Sequence, residues 1–249
     1  MKIIAISNNK GGVGKTTSAV NIAAALQILD QRVLVIDMDH QAQTTYHFGV
    51  DPKKLKHSIY DVLKGDIAYK DILYDRSGLH ILPSSTDLKG IDFLPIPAKE
   101  FLLKEAMASL DGYDFVLIDC PPSLGVLTLN AHAFAQEILV PLQVQFLPFH
   151  GMYHLFEAVE QVKKRLNKNL EITGIIGTMY NASKSINREV IQETKKRLPG
   201  KLFGTLIREN VSLQEAPSWG QTIFEYKPES HGANDYMALT REILKRNEE

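Results

Sequence analysis

The chain has 249 residues, 44% apolar and 23% charged, with a formal net charge of −1 and a single cysteine. That length buries a sizeable core, while the lone Cys120 excludes an internal disulfide and no Cys/His cluster has metal-site spacing. No apolar run approaches the ~18 residues of a membrane span, and MKIIAISNN at the start is too short in its apolar run for a secretory signal, so a soluble, cytoplasmic protein is expected.

Short apolar runs alternate with helical patterns, the mark of a parallel sheet wrapped by helices. KIIAIS (Lys2–Ser7) is the first predicted strand, and it runs into NNKGGVGKT. There Gly11, Gly12 and Gly14 let successive backbone N–H groups, that of Val13 among them, turn toward phosphate oxygens. The Ala-rich stretch Thr16–Leu29 is a predicted helix whose positive N-terminal end adds to the same site. Lys15 would reach β- and γ-phosphates, the Thr16 hydroxyl would ligate Mg²⁺, and Thr17 adds a phosphate hydrogen bond. The order of loop, lysine and hydroxyl in a strand–loop–helix context points to a nucleotide. The loop departs from G-x-x-x-x-G-K-[ST], because Asn9 stands at the first glycine position.

RVLVID (Arg32–Asp37) is the next predicted strand, apolar on both faces as a central parallel strand is. Asp37 falls at its end, where ligands of α/β sheets collect, and with Thr16 and Asp119 it is expected to serve the metal. Asp39, within DMDHQAQ, is placed to orient or polarise an attacking water. Ser58–Lys64 reads as a short helix, Leu79–Leu82 as a strand, and Glu100–Leu110 as a helix on the spacing of Leu103, Met107 and Leu110. FVLID (Phe115–Asp119) is a buried strand ending in an acid; Asp119, ahead of Pro121-Pro122, would hold a Mg²⁺ water. Cys120 reads as a packed core thiol. Glu137–Leu142 and Ile172–Tyr180 are further strands; Met152–Leu166, the basic Ile186–Leu198 and the closing Asn234–Arg246 are helices. No repeat, low-complexity tract or long linker interrupts the pattern. One domain over 1–249 is expected, an α/β doubly wound, mostly parallel twisted sheet flanked by helices, of the P-loop NTPase type.

The small net charge hides an asymmetry. Residues 1–160 carry 13 Lys/Arg against 18 Asp/Glu, or −5, and residues 161–249 carry 15 against 11, or +4. Within Gln161–Arg208 the count is 11 basic to 3 acidic, or +8, a local field that can hold a polyanion.

KGGVGKT resembles the deviant Walker A motif of the ParA/MinD ATPases, and the family's D-x-D-x-Q is matched by Asp37, Asp39 and Gln41, with His40 where proline is usual. LIDCPPSLGVLTLNA (Leu117–Ala131), LVPLQVQ (Leu139–Gln145), NVSLQEAPSWGQTI (Asn210–Ile223) and SHGANDY (Ser230–Tyr236) look like the ParA (Soj) branch, so the resemblance covers nearly the whole chain. It implies a Mg²⁺-dependent ATPase of low basal turnover that forms a homodimer on ATP. In such a dimer Lys10 reaches the partner's nucleotide phosphates, as an arginine finger acts in trans. The resemblance gives the same roles to Asp37, Asp39 and Asp119, and places adenine near Asn181, Arg208 and Asn210, although the branch often has Pro-Arg-Asn where this chain reads Arg208-Glu209-Asn210.

The resemblance further implies that the ATP-bound dimer binds DNA without sequence preference, that a ParB-like partner stimulates hydrolysis, and that the ADP form leaves the nucleoid. DNA contact is expected from Arg188, Lys195, Lys196 and Arg197 on the basic helix, flanked by Lys184, Lys201 and Arg208. Glu209 and Ser212 stand where many relatives carry arginines. With no extension before the first strand, operator-specific repression is not expected.

The rival readings are weaker. A MinD-like membrane ATPase needs a basic amphipathic C-terminal helix, whereas Tyr236, Met237, Leu239, Ile243 and Leu244 read as core packing and the chain ends Asn-Glu-Glu; no membrane partner is expected. An iron-protein-like reductase needs two cysteines per subunit. A dethiobiotin-synthetase-like ligase needs a substrate pocket for which there is no sequence mark. A tyrosine-kinase relative would carry a C-terminal tyrosine cluster, and this tail has only Tyr226 and Tyr236. The motifs are shared by ATPases that move chromosomes, plasmids or protein assemblies, and they do not name the cargo.

Overall fold

The computed structural model describes residues 1–145 and 149–248; Glu249, the last of the acidic end, lies outside them. In chain order the elements are β1 (Lys2–Ile6), α1 (Lys15–Ile28), β2 (Val33–Asp37), α2 (Gln43–His47), α3 (Ile59–Lys64), β3 (Tyr74–Arg76), β4 (Leu79–Leu82), α4 (Leu102–Ala106), β5 (Phe115–Asp119) and α5 (Val126–Phe134). They continue with β6 (Glu137–Gln143), α6 (Phe149–Arg165), β7 (Glu171–Thr178), α7 (Ser185–Arg197), α8 (Val211–Glu215), α9 (Ile223–Tyr226) and α10 (His231–Glu248). Among the described residues the strands form one sheet in the order β3-β4-β2-β5-β1-β6-β7. Every pairing is parallel except β3 with β4, as expected for a doubly wound fold.

Alternation along each strand sends neighbouring side chains to opposite faces, and here both faces are covered. Ile3 and Ala5 of β1, Leu34 and Ile36 of β2, and Val116 and Ile118 of β5 pack with Ile59 and Val62 of α3, Leu103 of α4, Ala131 of α5 and Val159 of α6. Ile4 and Ile6, Val33 and Val35, and Phe115 and Leu117 pack on the other side with α1 and α10. Near-continuous apolar strands are the consequence.

Helix α1 is buried almost all round from Ser18 to Leu26. Its alanines at 19, 23, 24 and 25 keep it thin enough to sit between the sheet and α10. Tyr236, Leu239 and Ile243 of α10 are buried in that same cluster, so this stripe is core, as its sequence suggested.

Two differences from the expected elements have simple causes. The helix expected over Glu100–Leu110 is helical only at Leu102–Ala106, preceded by a 3-10 turn at Lys99–Phe101. Ala108 and Leu110 then bond to carbonyls three residues back, at Glu105 and Met107, so the chain keeps Leu103 and Met107 buried without continuing the α-ladder. The short α2, α8, α9 and β3 carry too few residues for a period to show, and α5 lies inside a segment quoted above only for its resemblance.

Strand β7 approaches Phe203 so closely that Gly174 has no room for a side chain. A Cβ there would lie 2.2 Å from the Phe203 ring and 3.0 Å from Leu139 Cδ2, and Arg246 lies over that ring at 4.1 Å. Gly174→Ala is therefore expected to lower the unfolding free energy by about 1–3 kcal/mol, the usual cost of overpacking a filled core, read as a shift in the urea midpoint.

Candidate functional site

The carboxyl ends of β1, β2 and β5 lie side by side, and the segments that leave them converge. After β1, Ser7 and Asn8 are buried; Asn8 Nδ2 donates to the Pro141 carbonyl (2.7 Å) and Asn8 Oδ1 accepts from Lys10 N (3.1 Å). Gly12 (φ 73°) and Gly14 (φ 90°) hold left-handed conformations, which an L side chain resists. Gly14 caps α1 with no side-chain acceptor, so the first N–H groups of the helix have no side-chain cap and present the positive end of its dipole. Thr178 Oγ1, at the end of β7, donates to the Val13 carbonyl (2.9 Å) and clamps the loop from the far side.

The two lysines part company here. Lys15 is only 7% exposed, and its Nζ folds back to donate to the Lys10 carbonyl (2.8 Å). Burial lowers its pKa, an effect opposed by Asp119, Cys120 and Asp39. Lys10 is exposed, and its ammonium has no partner among the described residues.

Asp37 and Asp119 are register partners on neighbouring strands and are fully buried. Burial raises the pKa of each carboxyl; for Asp37 the neighbouring Asp119 raises it further. Asp37 is saturated with donors: its Oδ2 accepts from Thr45 N (2.8 Å) and Oγ1 (2.7 Å), and its Oδ1 from Asp39 N (3.1 Å). In Asp119, Oδ2 accepts from Thr16 Oγ1 and Thr44 Oγ1, both at 2.7 Å. Its Oδ1 is buried with no partner among the described residues. The orphaned Oδ1, on a carboxylate whose other oxygen accepts from the Thr16 hydroxyl, makes with that hydroxyl an all-oxygen set of the kind a hard divalent cation such as Mg²⁺ takes. Asp39 is set by Gln41 N on its Oδ1 (2.9 Å) and by Ser84 Oγ on its carbonyl (2.8 Å).

Around these groups lies a cleft of about 440 Å³ lined by Gly11, Gly12, Lys15, Thr16, Thr17 and Asp39 among others. It shares Gly14, Thr17 and Met179 with a second cleft of about 480 Å³, lined by Ile207, Arg208, Asn210, Leu213 and Tyr236. Met179 adopts φ 55° where the two meet. Of the three residues expected near adenine, Arg208 and Asn210 line this second cleft and Asn181 does not. Asn181 instead bonds Glu209 through Nδ2 (2.9 Å) and accepts from Ser183 through Oδ1. Asn210 Oδ1 caps α8 by accepting from Ser212 N.

The expected DNA residues are not brought together as one set. Lys184 pairs with Glu209 (2.7 Å), Arg208 with Asp235 (2.5 Å) and Arg197 with Glu193 (2.6 Å). Lys201 lies beside β7 at the amino ends of β1, β6 and β7, in a groove with Lys2 and Arg246. Arg188, Lys195 and Lys196 are exposed along α7, with no ion pair among the described residues; Arg188 also donates to the Ala182 carbonyl.

Reasoning from sequence missed Thr44, Thr45, Ser84 and Thr178, which hold the site's acids and its loop. The consecutive hydroxyls in DMDHQAQTT were the available signal. It also missed His132, whose Nε2 lies 3.0 Å from Ser7 Oγ beneath the phosphate loop; burial lowers its pKa to about 4.

Residues 1–172 match the family model described as an AAA domain. The chain is 39% identical over 247 residues to the sporulation initiation inhibitor protein Soj of Bacillus subtilis, covering 97% of this chain and 98% of that one. It is 38% identical over 251 residues to the chromosome partitioning protein ParA of Myxococcus xanthus, covering 99% and 89%. Among solved structures, cobyrinic acid a,c-diamide synthase from Mycobacterium smegmatis with bound ADP and magnesium superposes with a TM-score of 0.88 at 33% identity, over 100% of this chain and 96% of that one. The chain belongs to the ParA/MinD family of ATPases, in its Soj-like ParA branch.

His132 makes a pH-dependent contribution of known sign. Its folded pKa lies below the unfolded value of about 6.5, so acid protonates the unfolded chain first. Relative to His132→Leu, the wild type is expected to lose about 1.4 kcal/mol of stability per pH unit between pH 6.5 and 4, and no more below that. Urea midpoints of the two proteins across that range measure the difference.

Proposed function

We propose that the chain acts, as one ATPase domain over 1–249, in partition: ATP and Mg²⁺ close two copies into a dimer that holds DNA, and hydrolysis releases it. The observation that carries this reading is the division between the two loop lysines. Lys15 is buried with its charge turned onto its own loop, whereas Lys10 presents an exposed ammonium beside the phosphate cleft. A cation so placed can stabilise phosphate charge on a second subunit. The names of the Soj and ParA relatives support partition, and the ADP and magnesium of the mycobacterial structure support the cofactors.

When bound, Mg-ATP supplies the phosphoanhydride that water cleaves. The open N–H groups at the start of α1 and the Lys15 ammonium would hold the phosphates, and Thr16 with Asp119 would hold the metal. Asp37 anchors the segment that carries Asp39, and Asp39 orients the water. Turnover stays slow because Lys10 of one copy serves the other, and a ParB-like partner accelerates it. Nucleoid DNA lies along Arg188, Lys195 and Lys196, which give affinity without base readout.

Four variants test the scheme. Lys15→Ala should abolish nucleotide binding, and Lys10→Ala should bind ATP yet scatter light as a monomer. Asp39→Ala should accumulate as an ATP-loaded dimer on DNA. Reversing Arg188, Lys195 and Lys196 to Glu should weaken ATP-dependent DNA binding roughly tenfold or more, measured by mobility shift. A wild type that remains monomeric with ATP would sink the dimer, and unchanged DNA affinity in the triple variant would sink the DNA surface.

A further inference from the structure

Thr44 lines neither cleft, yet among the described residues it makes the hydrogen bond that joins α2 to β5. Its hydroxyl donates to Asp119 Oδ2 at 2.7 Å, to the same oxygen and at the same distance as Thr16 Oγ1. One donor thus comes from α1 and the other from α2, and a carboxylate whose Oδ2 is held from two elements cannot swing that oxygen about its Cβ–Cγ bond without breaking both bonds. Oδ1 is what this arrangement leaves over. The adjacent Thr45 does the matching work on the neighbouring acid, placing both its N–H and its hydroxyl on Asp37 Oδ2. Two consecutive threonines therefore sort two carboxylates that lie in register on adjoining strands. Both threonines are fully buried, so solvent does not compete for either bond.

We propose that Thr44 is a positioning residue for the metal site: its hydroxyl fixes the Asp119 carboxylate so that Oδ1 faces the bound Mg²⁺ and its waters. The assignment rests on reading Asp119 as the carboxylate that serves the metal. Thr44 itself touches neither metal nor nucleotide. Loss of such an outer partner costs about 10–100-fold in metal affinity, and it leaves the phosphate grip of Lys15 and the α1 N–H groups intact.

Calorimetric titration of ADP at stepped Mg²⁺ concentrations, and in EDTA, separates these effects in wild type, Thr44→Val, Thr44→Ala and Thr44→Ser. Thr44→Val keeps the volume and removes the hydroxyl. It is expected to bind ADP in EDTA as the wild type does and to need about 10–100-fold more Mg²⁺ for half-maximal enhancement. Thr44→Ala should behave likewise, and Thr44→Ser, which restores the hydroxyl, should return close to wild type. An unchanged Mg²⁺ requirement in Thr44→Val overturns the proposal. Equal losses with and without Mg²⁺, or failure of both the Val and Ala variants to fold, overturn it as well, because the role would then be structural. A wild type whose ADP binding ignores Mg²⁺ overturns the reading of Asp119 and this inference with it.

Discussion

Two carboxylates buried side by side are the constraint around which this site is built. Asp37 and Asp119 end neighbouring parallel strands in register. Two negative charges at roughly the 5 Å spacing of adjoining strands repel by about 3 kcal/mol at an effective dielectric near 20. Burial, which strips both of water, is the main reason both carboxyls resist ionisation, with Asp119 adding to it for Asp37 and Asp39 for Asp119. The structure meets this with donors rather than with distance. Thr45 and the Asp39 amide saturate Asp37, Thr16 and Thr44 meet one oxygen of Asp119, and Lys15 adds a cation nearby. Each donor comes from a segment that must fold into place after its strand ends. The acids therefore organise the loop, α2 and the start of α1, and a divalent cation is what the remaining oxygen fits.

The same economy explains why one lysine cannot do the work of two. Lys15 lies within the field of Asp119 and Asp39 and is desolvated, so it is held where charge compensation is already needed. A second cation at that point would lack an anion of its own. Lys10 stands on the exposed side of the glycines, five residues earlier, and the carbonyl that anchors Lys15 is its own. The two side chains thus leave one short loop in different directions, one toward its own cleft and one toward whatever approaches from outside.

Much of this was legible in the sequence because it is local. Glycine spacing, a lysine and a hydroxyl in fixed order, and acids at the ends of apolar strands each report a short-range requirement. The strands and the long helices were likewise visible, since their periods run for several residues. What could not be seen is how side chains from distant segments meet. Thr44 is 75 residues from Asp119 and Thr178 is 165 from Val13, so no pattern along the chain links them. His132 is silent for the same reason: a histidine in an apolar stretch announces neither its burial nor the serine it meets. The break in the Glu100–Leu110 helix shows the converse limit, because apolar spacing fixes which side chains are buried and not which carbonyls the backbone bonds.

The basic tract shows how far charge along a sequence differs from a field in space. Counted linearly, Gln161–Arg208 carries +8. In three dimensions part of that charge is met by acids outside the tract: Glu209 takes Lys184 and Asp235 takes Arg208. Glu193, one of its own acids, takes Arg197, and Lys201 lies at the amino ends of the strands, away from their carboxyl ends. Glu209 draws Lys184, Asn181 and Gln145 together at the second cleft, which it lines. The field left for a polyanion is narrower than the count suggests: Arg188 and Lys195 stand two turns apart on one face of α7 beside Lys196, and Lys163, Lys164, Arg165 and Lys168 stand at the end of α6 and just after it. A helix that presents its charge as a stripe, backed by the buried Asn187, Val190 and Thr194, can follow a phosphate backbone without reading the bases beneath it.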